Sequence, residues 1–270
     1  THYWLSGYVG TKLAQLWKIP HVVNFHTLAY LKRLAHVGER ESILRVETER
    51  NVVLHADQVI ASSQHEKDAM VRHYSASATK VSVIPCGVDI NLFRPIDREI
   101  ARDHTSLDKQ RRYLLYVGRV EPLKGIDLLI EGMLRLRNHY DVQLLILGGN
   151  KSTDGQREKL LTQVRCLGLG KNVQFLGPMP QEVLPYYYCA TDVCLVPSYY
   201  ESFSLVALEA MACGSPVVAA RVGGLQSVVQ DGRTGYLVPW RCPDPFIDRV
   251  EVLLLNESLR QAMGLSLIHI

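Results

Sequence analysis

Apolar runs of strand length alternate along the chain with longer segments of helical period, the rhythm of repeated βα units around a parallel sheet. The runs that predict strands are HVVNFH (21–26), QVIAS (58–62), KVSVIP (80–85), YLLYVG (113–118), VQLLILG (142–148), NVQFLG (172–177), VCLVP (193–197) and PVVAA (216–220). Helical period fills most of the gaps. Segment 124–140, for example, sets Ile126, Leu129, Ile130, Met133 and Leu134 on one stripe and Glu131, Arg135 and Arg137 elsewhere. From 91 to 112 the pattern breaks into NLFRPIDREIARDHTSLDKQRR, polar and charged, which predicts a linker at 95–111 between α/β units at 1–94 and 112–270.

Composition narrows the class. The 270 residues are 47% hydrophobic and 21% charged, with formal net charge +3, as expected of a soluble globular protein without marked disorder. No dense Lys/Arg run is present, so there is little electrostatic reason to expect nucleic acid as a partner. The six cysteines form no Cys-x-x-Cys pair and read as reduced thiols of a cytoplasmic protein. No apolar run approaches the about 18 residues that span a bilayer, although peripheral membrane contact stays open. THYWLSGYVG reads as the middle of a fold, so an incomplete first domain, a truncated C-terminal end and a poorly soluble or inactive fragment are expected. The final LSLIHI leaves the helical register and resembles translated adapter sequence.

In a parallel α/β sheet, ligands bind beyond the carboxyl ends of strands, where loops lead into helix N-termini. After YLLYVG comes RVEPLKG, in which Arg119 and Lys124 flank the loop and Gly125 opens a helix. After VCLVP comes SYYESFS and then the helical LVALEAMA. Each helix start leaves unpaired N–H groups and about half a positive charge, so two starts with two cations suggest a diphosphate. Neither G-x-x-x-x-G-K-[ST] nor G-x-G-x-x-G occurs. The plainer reading, two solvated surface cations, stays open. Glu209 stands inside an otherwise apolar helix and needs a partner. Two readings compete: a ribose whose hydroxyls bond its carboxylate, with Glu201 meeting hydroxyls of a sugar, or an arginine such as Arg221.

The combination of strand-GRVEPLKG-helix, GG at 148–149, PSYYESFSLVALEAMACGSPVVAARVGGL and DGRTGYLVP resembles the family 4 retaining nucleotide-sugar glycosyltransferases. That resemblance covers nearly the whole chain and implies the GT-B fold, α/β with two Rossmann-like domains of parallel sheets. HYWLSG and FHTLAYLK are similar to the branch containing sucrose-phosphate synthases and the mycothiol-pathway transferase, whose acceptors are phosphorylated sugars or inositol. By resemblance, Arg119 and Lys124 neutralise the donor diphosphate, backbone N–H groups of Phe203, Ser204 and Leu205 complete the phosphate site, Glu209 holds the ribose, and Glu201 contacts the donor sugar. The family usually has glycine where Ser204 stands: a positive φ there implies strain, a helical one makes serine harmless or capping. His26 matches an active-site histidine, although a lone histidine at a strand end is more often a structural hydrogen-bonder. Tyr3, Thr27 and Arg45 fall where the phosphorylated acceptor binds, and the competing reading of Arg45 is a helix-surface pair with Glu41 or Glu49. GPMPQ (177–181) is where the base is expected.

The reaction implied is glycosyl transfer from a nucleoside diphosphate sugar to a hydroxyl with retention, by same-face attack. The nucleotide sugar is a co-substrate, and no cofactor is expected. No Asp-x-Asp occurs, so a metal clamp is not suggested and a metal-independent enzyme is expected. A non-hydrolysing sugar-nucleotide 2-epimerase of the same fold and a degenerate nucleotide-sugar-binding protein are the alternatives.

Overall fold

The computed structural model describes residues 1–35, 37, 41–149 and 154–265. It divides into two compact units, one of Thr1–Cys86 with Tyr200–Phe203 and Gly223–Ser227, the other of Gly87–Tyr199, Ser204–Val222 and Val228–Ile270. Of the terminal LSLIHI, residues 266–270 lie outside the described residues.

In the first unit the order is α1 (Tyr3–Trp17), β1 (Val22–Asn24), α2 (Ala29–Leu34), α3 (Ile43–His55), β2 (Gln58–Ala61), α4 (Gln64–Tyr74) and β3 (Val81–Val83). The strands pair in parallel in the order β1-β2-β3. Helix α3 starts at Ser42 and α4 at Ser63, whose hydroxyls accept the amides of Arg45 and Glu66 as N-caps. Val23, Phe25, Val52, Val59, Met70 and Tyr74 form the core. The returning segment 200–203 is fastened to it. The Tyr200 hydroxyl accepts the Leu28 amide at 3.3 Å, and Ser202 O accepts the Ser62 and Ser63 hydroxyls at 3.5 and 3.4 Å. Gly224 donates its amide to Glu201 O at 3.0 Å. A Cβ at Gly224 would stand 2.0 Å from Ser202 O, so the GGL turn needs glycine for the two backbones to approach.

The second unit runs α5 (Arg98–Thr105), β4 (Arg112–Val117), α6 (Ile126–Leu136), β5 (Val142–Leu147), α7 (Asp154–Cys166), β6 (Val173–Gly177), α8 (Leu184–Ala190), β7 (Val193–Val196), α9 (Leu205–Ala212) and β8 (Val217–Ala220). There follow the short α10 (Leu225–Val228), then β9 (Gly235–Val238), α11 (Pro243–Leu255) and α12 (Glu257–Leu265). All six strands pair in parallel in the order β6-β5-β4-β7-β8-β9. Strands β7 and β8 are buried at every position, which explains their unbroken apolar runs. Alternate residues Leu114, Tyr116, Leu144, Ile146 and Leu195 join a core with Leu129, Met133, Val164, Ile247 and Val250.

The α/β class with parallel sheets expected from the sequence is the one observed. Each predicted strand is present, most of them one residue shorter, β1 and β3 three residues shorter. Segment 95–111, read as a linker, instead carries α5. Asp97 caps it by accepting the amides of Glu99 and Ile100. Its Arg102 is buried because the guanidinium donates to Ala190 O at 3.0 Å, Asp108 O at 3.1 Å and Arg111 O at 3.0 Å. A charged sequence here satisfies carbonyl groups rather than water.

Candidate functional site

Strand β4 opens the second sheet at its centre. The chain steps outward to β5 and β6, returns across β4 to β7, and then proceeds the other way through β8 and β9. The order therefore reverses between β4 and β7, and at such a switch point the loops leaving the carboxyl ends diverge into a crevice. The two loops that diverge are 118–125 and 197–204.

These loops are locked to each other. Tyr199 donates its amide to Leu123 O at 2.8 Å. Gly125 has φ 65° and ψ 27°, and a Cβ there would stand 2.4 Å from Pro197 O. The mouths of α6 and α9 consequently open near one another. Gly125 is the N-cap of α6 and offers no side-chain acceptor to its amides. Ser204 is the N-cap of α9 with φ 86° and ψ 86°, and its hydroxyl accepts the Ala207 amide at 3.3 Å. Of the alternatives posed for Ser204 the positive φ is the one observed, and the residue caps from that left-handed backbone rather than from a helical one. Leu205 follows as the first, exposed residue of α9. Lys124 is half-buried in the 3-10 turn before α6, whereas Arg119 is exposed and ion-paired with Glu121 at 2.9 Å.

Glu209 finds its partner in Tyr188, whose hydroxyl donates to Oε2 at 2.9 Å. Arg221, the arginine considered for this role, pairs with Asp231 and donates to Leu237 O at 3.0 Å instead. Burial raises the Glu209 carboxyl above its usual range, and the Tyr188 hydroxyl pulls it partly back. Burial also holds the Tyr188 hydroxyl protonated, so it stays a donor. Beside this region a cavity of about 250 Å³ is lined by Arg119, Gly148, Gly149, Pro178, Met179 and Leu184. The GPMPQ loop, expected to hold the base, contributes two of those residues.

The remaining candidates belong to the first unit. Tyr3, Thr27 and Arg45 are in mutual reach: the Arg45 guanidinium sits 5.0 Å from the Tyr3 ring centroid, and its Nη2 donates to Thr27 Oγ1 at 3.0 Å and Thr27 O at 3.2 Å. Arg45 also donates to Glu49 Oε1 at 2.8 Å and Glu41 Oε2 at 2.9 Å, so both pairings considered for it exist, Glu49 within α3 and Glu41 just before it, although Arg45 is buried rather than on the helix surface. Burial works against the Arg45 charge, but the Glu49 bond and the charges of Glu49 and Glu41 raise its pKa. His26 lies exposed at the end of β1, its Nε2 2.9 Å from His2 Nδ1 with the two rings stacked. Burial, then the neighbouring His2, lower its pKa and keep it neutral near pH 7. Glu201 is half-buried and Phe203 buried, both on the returning segment.

Backbone strain marks the same residues. Among the described residues seven non-glycine residues have positive φ, and three of them, Lys18, Ser75 and Ser106, are ordinary left-handed helix C-caps. The other four are Tyr3, His26, Ser204 and Arg241, of which the first three are candidates reached from the sequence. Left-handed conformations costing about 1–3 kcal/mol gather at functional sites.

A family model described as glycosyl transferases group 1 matches residues 97–265, well over half of the chain. The chain belongs to this glycosyltransferase family. A second model, glycosyltransferase family 4, matches residues 1–92 of the chain. A D-inositol 3-phosphate glycosyltransferase of Geodermatophilus obscurus is 40% identical over 97% of this chain and 60% of its own length. The relative of that name from Corynebacterium diphtheriae is also 40% identical, over 100% of this chain and 65% of its own length. The chain therefore spans somewhat under two thirds of these curated relatives. The sucrose-phosphate synthase of Thermosynechococcus elongatus superposes with TM-score 0.92 at 34% identity, over 100% of this chain and 67% of that one. Its likeness supports the GT-B class expected from the sequence.

Some contributors to the candidate site carried no sequence signal. Tyr188 sits in a YYY run with nothing to single it out, and the place of His2 beside His26 becomes notable only once β1 is placed. Among the described residues no group of three or more His, Cys, Asp or Glu is placed to hold a metal, and no helix is long and apolar enough to cross a membrane.

Proposed function

We propose that this chain binds a nucleoside diphosphate sugar in its second unit and transfers the glycosyl group, with retention, to a hydroxyl of a phosphorylated sugar or inositol. The observation that carries this is the locked pair of helix mouths at the switch point, flanked by Lys124 and Arg119. Supporting it, the curated relatives are named for D-inositol 3-phosphate, and an Anabaena protein of the same fold is described in complex with UDP and glucose.

The pyrophosphate lies across the amides opening α6 and α9, the amides of Phe203, Ser204 and Leu205 among them. Glu209, held by Tyr188, accepts the ribose hydroxyls. The base occupies the cavity beside Pro178 and Met179. Glu201 and His26 take the transferred sugar, while Tyr3, Thr27 and Arg45 receive the acceptor phosphate. As the glycosidic bond breaks, negative charge grows on the departing diphosphate, and donors already in place stabilise it more than they stabilise the bound substrate. The acceptor proton passes to a leaving phosphate oxygen on the same face, so no carboxylate nucleophile is needed. The reaction proceeds without a metal, in the cytoplasm.

The test is turnover of the purified protein with a panel of nucleotide sugars, with and without inositol phosphate or a sugar phosphate. Transfer that needs the acceptor, and falls about 100- to 1000-fold in Lys124→Ala, is the expected result. Conversion of the donor alone to an epimer, or a Lys124→Ala variant within a few fold of the parent, would overturn it.

A further inference from the structure

At the opposite, amino-terminal edge of the second sheet lies a pocket of about 380 Å³ that glycosyl transfer leaves unused. It opens where Asp192 leads into β7 and Ser215 and Pro216 lead into β8, and Arg98, Arg260 and the carboxylate of Glu257 add further charge to its lining. Strand β7 runs from Val193 to Val196, so at about 3.3 Å per residue this edge stands more than about 10 Å from the mouths of α6 and α9.

The charge here is unbalanced. Asp192 is fully buried and takes Arg98 Nη2 at 2.7 Å, Arg112 Nη1 at 3.2 Å, Arg260 Nε at 3.6 Å and Arg102 Nη2 at 3.8 Å. Four guanidinium groups thus surround one carboxylate, whose Oδ2 also accepts the Tyr113 amide at 2.8 Å. The other acid in reach, Glu257, lies 3.9 Å from Arg260 Nη2 and is 63% exposed, so water screens it. Burial lowers the pKa of both Arg102 and Arg260, and the nearby charges of Arg98 and Arg112 lower them further.

Two buried donors in the lining are also unmet. Arg260 is 4% exposed; its Nη1 donates to Leu253 O at 2.8 Å, but its Nη2 makes no hydrogen bond. Ser215 is 3% exposed and its Oγ makes none either. A buried donor left unsatisfied costs about 1–3 kcal/mol, and more when charged, so two on residues that line one pocket call for an acceptor beside them.

We infer that this pocket is a second anion site, taking the phosphate of a small phosphorylated metabolite or inorganic phosphate. Arg260 Nη2 and Ser215 Oγ donate to the phosphate oxygens, and Arg98 lies at the rim. A planar guanidinium suits a tetrahedral oxyanion that offers several acceptors. The volume admits a phosphorylated monosaccharide as readily as the free ion. The site shares no residue with the proposed donor-phosphate site, so the two are separable by mutation.

Calorimetry with inorganic phosphate decides it, in a chloride-free buffer, on the full chain carrying Arg119→Ala and Lys124→Ala to silence the donor site. The expected isotherm shows one saturable phosphate, weakened about tenfold by adding Ser215→Ala, the loss of one hydrogen bond to a charged group. Ser215→Ala alters no hydrogen bond of the fold. Absence of saturable binding in the Arg119→Ala/Lys124→Ala background, or binding that Ser215→Ala leaves unchanged, would overturn the assignment. Failure of glycosyl transfer would leave it untouched.

Discussion

Replacing Gly125 by alanine tests whether the two loops at the switch point hold each other. Gly125 has φ 65°, a region that costs an L-residue about 1–2 kcal/mol. The new methyl would also stand 2.4 Å from Pro197 O, a backbone atom that no rotamer can move aside. Relief requires parting the loops, with loss of the 2.8 Å bond from Tyr199 to Leu123, a further penalty of about 1 kcal/mol. The stiffer unfolded chain returns about 0.4–1 kcal/mol. The net loss is about 1–2.6 kcal/mol, which for a unit of this size lowers Tm by about 2–10 °C. Urea and thermal unfolding read it directly. Gly155→Ala is the control: it lies in α7 with open space around it and should stabilise by up to about 1 kcal/mol. Gly125→Ala unfolding within 0.5 kcal/mol of the parent, taken as about the noise of surface substitutions, would show that the loops are not locked as described.

Three further outcomes are expected. Ser204→Gly relieves about 1 kcal/mol of left-handed strain for a few tenths of capping, whereas Ser204→Ala keeps the strain and loses the cap; urea melts should place the glycine variant at or above the parent and the alanine variant about 1 kcal/mol below. Asp192→Ala strands buried Arg102 and Arg260 and should cost about 3–5 kcal/mol at pH 7. Burial opposes the Asp192 charge, but Arg98 and its neighbours depress its pKa, so its contribution is present above the unfolded value of about 3.9 and lost as pH falls through the lower folded value; acid unfolding of the alanine variant should lack that loss. Glu209 has the opposite sign. Its folded pKa is raised by burial, so stability falls as pH rises from about 4.3 through the folded value, and Glu209→Gln should flatten that decline in melts between pH 4 and 8.

Periodicity made most of the second sheet legible, because strands buried on both faces are written as unbroken apolar runs. Strand β9 escaped: GYLV is four residues long and follows a turn, so it offers no run to detect. Helix α5 escaped for a different reason. Its Arg102 is buried by donating to Ala190 O at the end of α8 and to carbonyls of the loop after α5, a tertiary fact that local charge density hides. In the site, the helix mouths after β4 and β7 were readable, since helix starts after strands follow from the βα rhythm. Tyr188 as the partner of Glu209 was not. That bond joins positions 21 residues apart and depends on how α8 packs against α9. The Arg45 cluster was half legible: helical spacing pointed to Glu41 and Glu49, but only the fold brings Thr27 and Tyr3 to the same guanidinium.

A co-crystal structure with a nucleoside diphosphate, UDP and GDP each tried, bears most directly on the placement of the donor. Phosphate oxygens should lie within hydrogen-bond distance of the amides opening α9, with Lys124 Nζ on the same oxygens and the ribose hydroxyls on Glu209. A nucleotide seated elsewhere, with Lys124 and Glu209 both out of reach, would contradict it.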